Sequence, residues 1–125
     1  VIVGTGIDLC EVGRMREAIE RHGQRLLDRV FTGREIAYAE RKANRFERYA
    51  ARFAAKEAAM KALGTGWRGG LGWRDLEVTN LPSGRPTLAL HGKAAEIAAK
   101  LCVRNISLSL THTAAEAMAM VILES

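Results

Sequence analysis

Between Arg45 and Leu63 the apolar residues Phe46, Tyr49, Ala50, Phe53 and Met60 recur at the spacing of one helix face. The pattern predicts a long central helix whose stripe looks into a core. Glu57 falls four residues after Phe53 and three before Met60, inside that stripe, and is therefore expected to point inward. A buried carboxylate is costly unless it is paired, hydrogen-bonded or bound to a metal. Lys61, one turn further on, is a candidate partner, and a plain structural pair at i, i+4 is the simplest reading of the two.

The rest of the chain predicts an α+β fold with a mainly antiparallel sheet packed on that helix, in a single domain spanning 1–125. Residues 1–10 alternate as a strand that places Ile2, Gly4, Gly6, Asp8 and Cys10 on one face. Asp8 follows two glycines on its own side, which leaves room beside it for backbone or ligand. An amphipathic helix is expected from Glu11 to about Arg29, interrupted near Gly23, with Met15, Ile19, Leu26 and Leu27 inward. Thr32 and Glu35 have the form of a capping box that starts a short helix through about Arg41. Gly64-Thr-Gly66 stops the central helix, and Gly69, Gly70 and Gly72 mark a loop. Strands are expected over Trp73–Thr79 and Thr87–Leu90, a helix over Gly92–Leu101, and a hairpin of Ile106–His112 with Ala117–Leu123.

Charge narrows the partners. Lys and Arg number 19 against 14 Asp and Glu, a formal charge of +5, and the excess gathers between Arg14 and Arg52. Nucleic acid, a polyphosphate or an acidic protein would each suit such a surface. The apolar runs are too short for a membrane span and no signal peptide is evident, so a soluble, cytoplasmic protein is expected, with Cys10 and Cys102 as reduced core residues.

Asp8 and Glu57 are the two acidic residues expected to face inward, and they come from different elements. Two converging carboxylates without a histidine and cysteine set make a hard, oxygen-only site, which suits magnesium better than zinc. Magnesium keeps waters and draws further ligands from substrate phosphates, and Arg52, Lys56 and Lys61 stand nearby to hold phosphate oxygens. A pyrophosphate or nucleotide substrate follows. Gly64-Thr-Gly66 follows a helix, so it is no Walker motif, and His112 at a strand end reads alone as an edge residue. Trp67 and Trp73 are expected to pack, although either could cover a base.

Four segments together resemble a known family. Gly6-Ile-Asp8-Leu9 through Glu11-Val-Gly-Arg14, the run Arg52-Phe-Ala-Ala-Lys56-Glu57-Ala-Ala-Met-Lys61-Ala-Leu-Gly64-Thr-Gly66, Gly84-Arg-Pro86, and Ser109-Leu-Thr-His112 are similar, in order and spacing, to the motifs of the bacterial holo-acyl-carrier-protein synthases. These are small single-domain phosphopantetheinyl transferases. The resemblance implies transfer of phosphopantetheine from coenzyme A to a serine of apo acyl carrier protein, with release of adenosine 3',5'-bisphosphate and a place in fatty acid biosynthesis. It matches Asp8 and Glu57 to magnesium ligands and Lys61 to a pyrophosphate contact. Arg52 and His112 match residues near the nucleotide 3'-phosphate, and Gly64, Thr65, Gly66 and Pro86 match its pocket loops. Arg14 matches a basic position that meets the acidic carrier, and Arg21 and Arg25 follow it at roughly helical spacing. A homotrimer with sites between subunits is implied, with neither nucleic acid nor membrane as partner. The stretch from Arg41 to Arg45 does not align cleanly, which leaves Lys42 and Arg45 as further phosphate candidates. Either Glu57 acting through a metal-bound water or Lys61 could take the serine proton.

Two other classes fit some of these residues. A metal-dependent nucleotide pyrophosphatase would use the same carboxylates but lacks a further acidic ligand on the central helix. A small basic RNA-binding module would explain the charge, yet it leaves Glu57 unexplained and offers no evident aromatic stacking surface.

Overall fold

Glycine at two positions of the first strand lets a helix lie directly on a sheet. The computed structural model describes residues 1–66 and 70–125, so Trp67 and Gly69 lie outside the described residues. Strand β1 (Ile2–Glu11) runs under helix α4 (Arg45–Leu63), and a Cβ added at Gly6 or Gly4 would collide with the carbonyl oxygens of Ala58 and Ala62. The alanines of α4 supply the matching small surface. Ala54, Ala55, Ala58, Ala59 and Ala62 are all buried there.

Helices α1 (Val12–His22), α2 (Gln24–Val30) and α3 (Gly33–Glu40) follow β1 and cover the first half of α4. Gly23, with a positive φ of 60°, separates α1 from α2 as the sequence predicts. The Thr32–Glu35 capping box is present: Glu35 N–H donates to Thr32 Oγ1 and Thr32 N–H to Glu35 Oε1. After α4 come β2 (Leu76–Asn80), β3 (Pro86–Leu90), α5 (Gly92–Lys100), β4 (Asn105–His112) and β5 (Glu116–Glu124). The strands form an antiparallel sheet in the order β1-β5-β4 and a separate antiparallel hairpin of β2 with β3. This is the expected α+β arrangement. No helix among the described residues is long and apolar enough to cross a membrane.

Three expectations need correction. Trp73–Asp75 is a single 3-10 turn, not strand, because Asp75 N–H donates to the Gly72 carbonyl and Leu76 N–H to that of Trp73; β2 starts only at Leu76. Cys102 is exposed with φ 59° just beyond α5 and is no core residue, whereas Cys10 is half-buried and packs against the core on both sides; both are free thiols. Glu57 is also half-buried. With Phe53 it borders a surface hollow, whereas the alanine ridge and Lys56 take the dry side of α4.

Candidate active site

The close approach of β1 to α4 decides where the carboxylates meet. Asp8 lies two residues beyond Gly6 on the same face and emerges beside α4. Lys61 Nζ donates to Asp8 Oδ1 at 2.9 Å and to the Ile7 carbonyl at 2.9 Å, so the hydrogen-bonded partner of Lys61 is Asp8 and not Glu57. Glu57 completes the group. Burial, and then the charge of Asp8, push its carboxyl above the ordinary glutamate range, against the opposing pull of Lys61. The neighbouring Cys10 thiol is pushed up to about 11 by burial and then by Asp8 and Glu57, which marks the spot as negative.

Of the two acids, Glu57 lines a largely apolar hollow of about 340 Å³ formed by Cys10, Met15, Leu26, Phe31 and Phe53, with Arg14 among its other polar members. Among the described residues no three metal-ligating side chains cluster anywhere. Two hard carboxylates whose charges already repel one another fit a cation that keeps waters and takes its other ligands from phosphate, as magnesium does.

Arg52 lies on another side of α4. Only 4% exposed, it donates from Nη2 to Asn80 Oδ1 at 3.0 Å and lies over the Tyr38 ring, 3.8 Å from its centre, while its Nε has no partner among the described residues. Burial pulls its pKa down, against the opposing effects of Tyr38 and of the Glu35 charge. His112 is exposed at the end of β4, with Nδ1 3.3 Å from Glu47 Oε1 in the first turn of α4. Within one chain Arg52 and His112 thus keep different neighbours. Gly64 ends α4 in the left-handed region with φ 79°, its N–H donating to Met60 and Lys61 carbonyls, and Gly66 also has a positive φ. Thr65 Oγ1 donates to the Gly66 carbonyl. Pro86 opens β3 and borders a second hollow with Ser107, Ser109 and Met120. Arg21 and Arg25 are exposed on α1 and α2; Lys42 is exposed, and Arg45 is engaged with Glu40 at 3.0 Å.

Sequence reasoning missed Lys56 and Glu35, a fully buried ion pair at 2.7 Å, together with Asn80 and Tyr38 around Arg52. The capping-box reading gave Glu35 a sufficient role, and nothing in the spacing linked it to a lysine 21 residues away.

A family model described as the 4'-phosphopantetheinyl transferase superfamily matches residues 4–119. The chain belongs to that superfamily. The holo-acyl-carrier-protein synthase of Solibacter usitatus (strain Ellin6076) is 65% identical over 125 residues, covering 100% of both chains. The crystal structure of the holo-acyl-carrier-protein synthase of Neisseria meningitidis superimposes with a TM-score of 0.91 at 27% identity, covering 100% of each. The enzyme of that name from Bacillus anthracis, solved in complex with CoA (3',5'-ADP), gives a TM-score of 0.80 at 33% identity, over 99% of this chain and 97% of that one. Among these transferases the sequence is thus matched along its whole length, and the enzyme class is phosphopantetheinyl transferase.

Proposed function

We propose that this transferase moves phosphopantetheine from coenzyme A to a serine of apo acyl carrier protein, releasing adenosine 3',5'-bisphosphate. The observation that carries the reading is the meeting of Asp8, Glu57 and Lys61 beside the hollow that Arg14 borders. Asp8 and Glu57 would hold magnesium, which when bound neutralises the pyrophosphate and polarises the phosphorus attached to pantetheine. Lys61 has an exposed side chain, so its ammonium remains free to contact pyrophosphate oxygens while tethered to Asp8. The serine oxygen forms a bond to that phosphorus as the bridging bond to the nucleotide phosphate breaks. Glu57 is the first candidate to take the serine proton, with Lys61 the second.

Arg52 holds the other end. A buried guanidinium whose Nε–H has no partner among the described residues is suited to an anion, and the nucleotide 3'-phosphate supplies one. His112, Pro86 and the Gly64–Gly66 segment complete the nucleotide pocket across a subunit boundary in a homotrimer. Supporting that assembly, Ile7 and Leu9 of β1 and Met118 and Met120 of β5 are exposed on one sheet face, where they pair as Ile7 with Met120 and Leu9 with Met118. Arg14, Arg21 and Arg25 meet the acidic carrier. Such an enzyme works in the cytoplasm, in fatty acid biosynthesis.

The test is to incubate the protein with coenzyme A, magnesium and an apo carrier protein and to weigh the carrier by mass spectrometry. The carrier is expected to gain one phosphopantetheine, and to gain none in excess chelator. Cleavage of coenzyme A with no gain on the carrier would indicate a pyrophosphatase instead.

A further inference from the structure

We infer that Lys56, which the transfer chemistry leaves unused, is a positioning residue: its ammonium seats the Trp73–Asp75 turn and β2 on α4 and so places Asn80 beside Arg52. The inference rests on the proposed role of Arg52 at the nucleotide. Lys56 and Glu35 are both completely buried, a costly choice that persists only where every donor and acceptor is used. Here they are. Lys56 Nζ donates to Glu35 Oε1 at 2.7 Å, to the Leu76 carbonyl at 2.6 Å and to the Trp73 carbonyl at 3.1 Å, which accounts for its three protons. Glu35 accepts from Thr32 N–H and, through Oε2, from Val78 N–H at 2.8 Å.

The choice of backbone groups shows what this pair does. Among the described strands β2 is hydrogen-bonded to β3 alone and is not part of the main sheet. The Leu76 carbonyl and the Val78 N–H belong to alternate residues of one strand edge, and Lys56 and Glu35 take them as a neighbouring strand would. An apolar side chain would fill the same volume without fixing where along α4 the strand sits. At its far end β2 carries Asn80, which accepts from Arg52 and donates to the Gly84 carbonyl. Lys56 and Arg52 are four residues apart on α4, so they grip the beginning and end of the same strand from one helix face. Asp8, Glu57 and Lys61 lie on a different side of the helix and do not depend on this seat.

The test compares Lys56→Met, the double variant Lys56→Met with Glu35→Gln, and the wild type by thermal melting, calorimetry with coenzyme A, steady-state kinetics and hydrogen exchange at Val78. Lys56→Met alone strands a buried carboxylate and melts lower; the double variant removes the pair as a unit and recovers most of the melting temperature. Recovered stability is not expected to restore binding. In the double variant coenzyme A binds about tenfold more weakly, kcat stays within about twofold, and the Val78 amide exchanges faster. Wild-type affinity in a folded double variant overturns the inference. Should that variant not fold, Asp75→Ala decides: it frees Gly72 N–H at the start of the same turn, and about threefold weaker binding is expected, whereas unchanged affinity overturns the inference. A wild-type protein that does not bind coenzyme A at all overturns the proposed function along with it.

Discussion

Glu57 sits where its negative charge is unwelcome to the fold and useful to the chemistry. Burial and the Asp8 charge hold its carboxyl above the ordinary range, so the ionised form is less favourable in the folded chain than in the unfolded one. The sign follows: as pH rises from the unfolded glutamate range, about 4.5, through the raised folded value, the group subtracts from stability, and the loss is complete once pH lies above that folded value. Glu57→Gln is therefore expected to raise the metal-free melting temperature by a few degrees at neutral pH, with little change in acid, while abolishing most transfer activity. Differential scanning calorimetry across pH checks this, and a lower melting temperature at pH 7 would contradict it. Glu77 has the opposite bias. Its carboxyl is held below the ordinary range by Thr32 and His91 against the cost of burial, so its contribution is present above the usual glutamate range and is lost as pH falls through its folded value.

Among the elements, the contact of β1 with α4 carries the site, and it tolerates no side chain. Gly6→Ala would place a Cβ against the Ala58 carbonyl, a backbone atom that cannot rotate away, so strand and helix must separate. The expected result is a loss of about 3 kcal/mol in urea unfolding, with activity falling further than stability because Asp8 and Lys61 are carried apart. Much of this was legible. Alternation put Gly4, Gly6 and Asp8 on one face, and helical spacing delimited α4 from Arg45 to Leu63, because both periods are local properties of the chain. The pairing of Lys61 with Asp8 was not, since a lysine has partners at i−4 and across space and only packing chooses between them. Nor was the Trp73–Asp75 turn, where Trp73 ahead of Leu76 and Val78 suits a strand but the Lys56 ammonium takes the Trp73 carbonyl instead. Lys56 itself was read as a phosphate contact, because its burial against Glu35 and Leu76 arises from three segments that the sequence keeps apart.

For the whole molecule, the exposed face of β1 and β5 is the largest unsettled account. Ile7 is 55% exposed, Leu9 51% and Met120 43%, values that suit a subunit contact better than open water. Met120→Glu is expected to convert the proposed trimer to folded monomers, seen as a threefold drop in mass by light scattering with an unchanged far-ultraviolet spectrum, and with it most turnover. A variant that stays trimeric would move the interface elsewhere. The same sheet has a consequence in time. Its central strand is β5, last of the described strands in chain order, and β1, first in order, pairs among the described strands with β5 alone. During synthesis α4 can cover the Asp8 face of β1 as soon as Leu63 has emerged, but the hydrogen-bonding edge of β1 waits more than a hundred residues for β5. Such distant pairing makes for slow closure of the sheet, with the Asp8 strand seated on its helix before it is hydrogen-bonded to its partner strand.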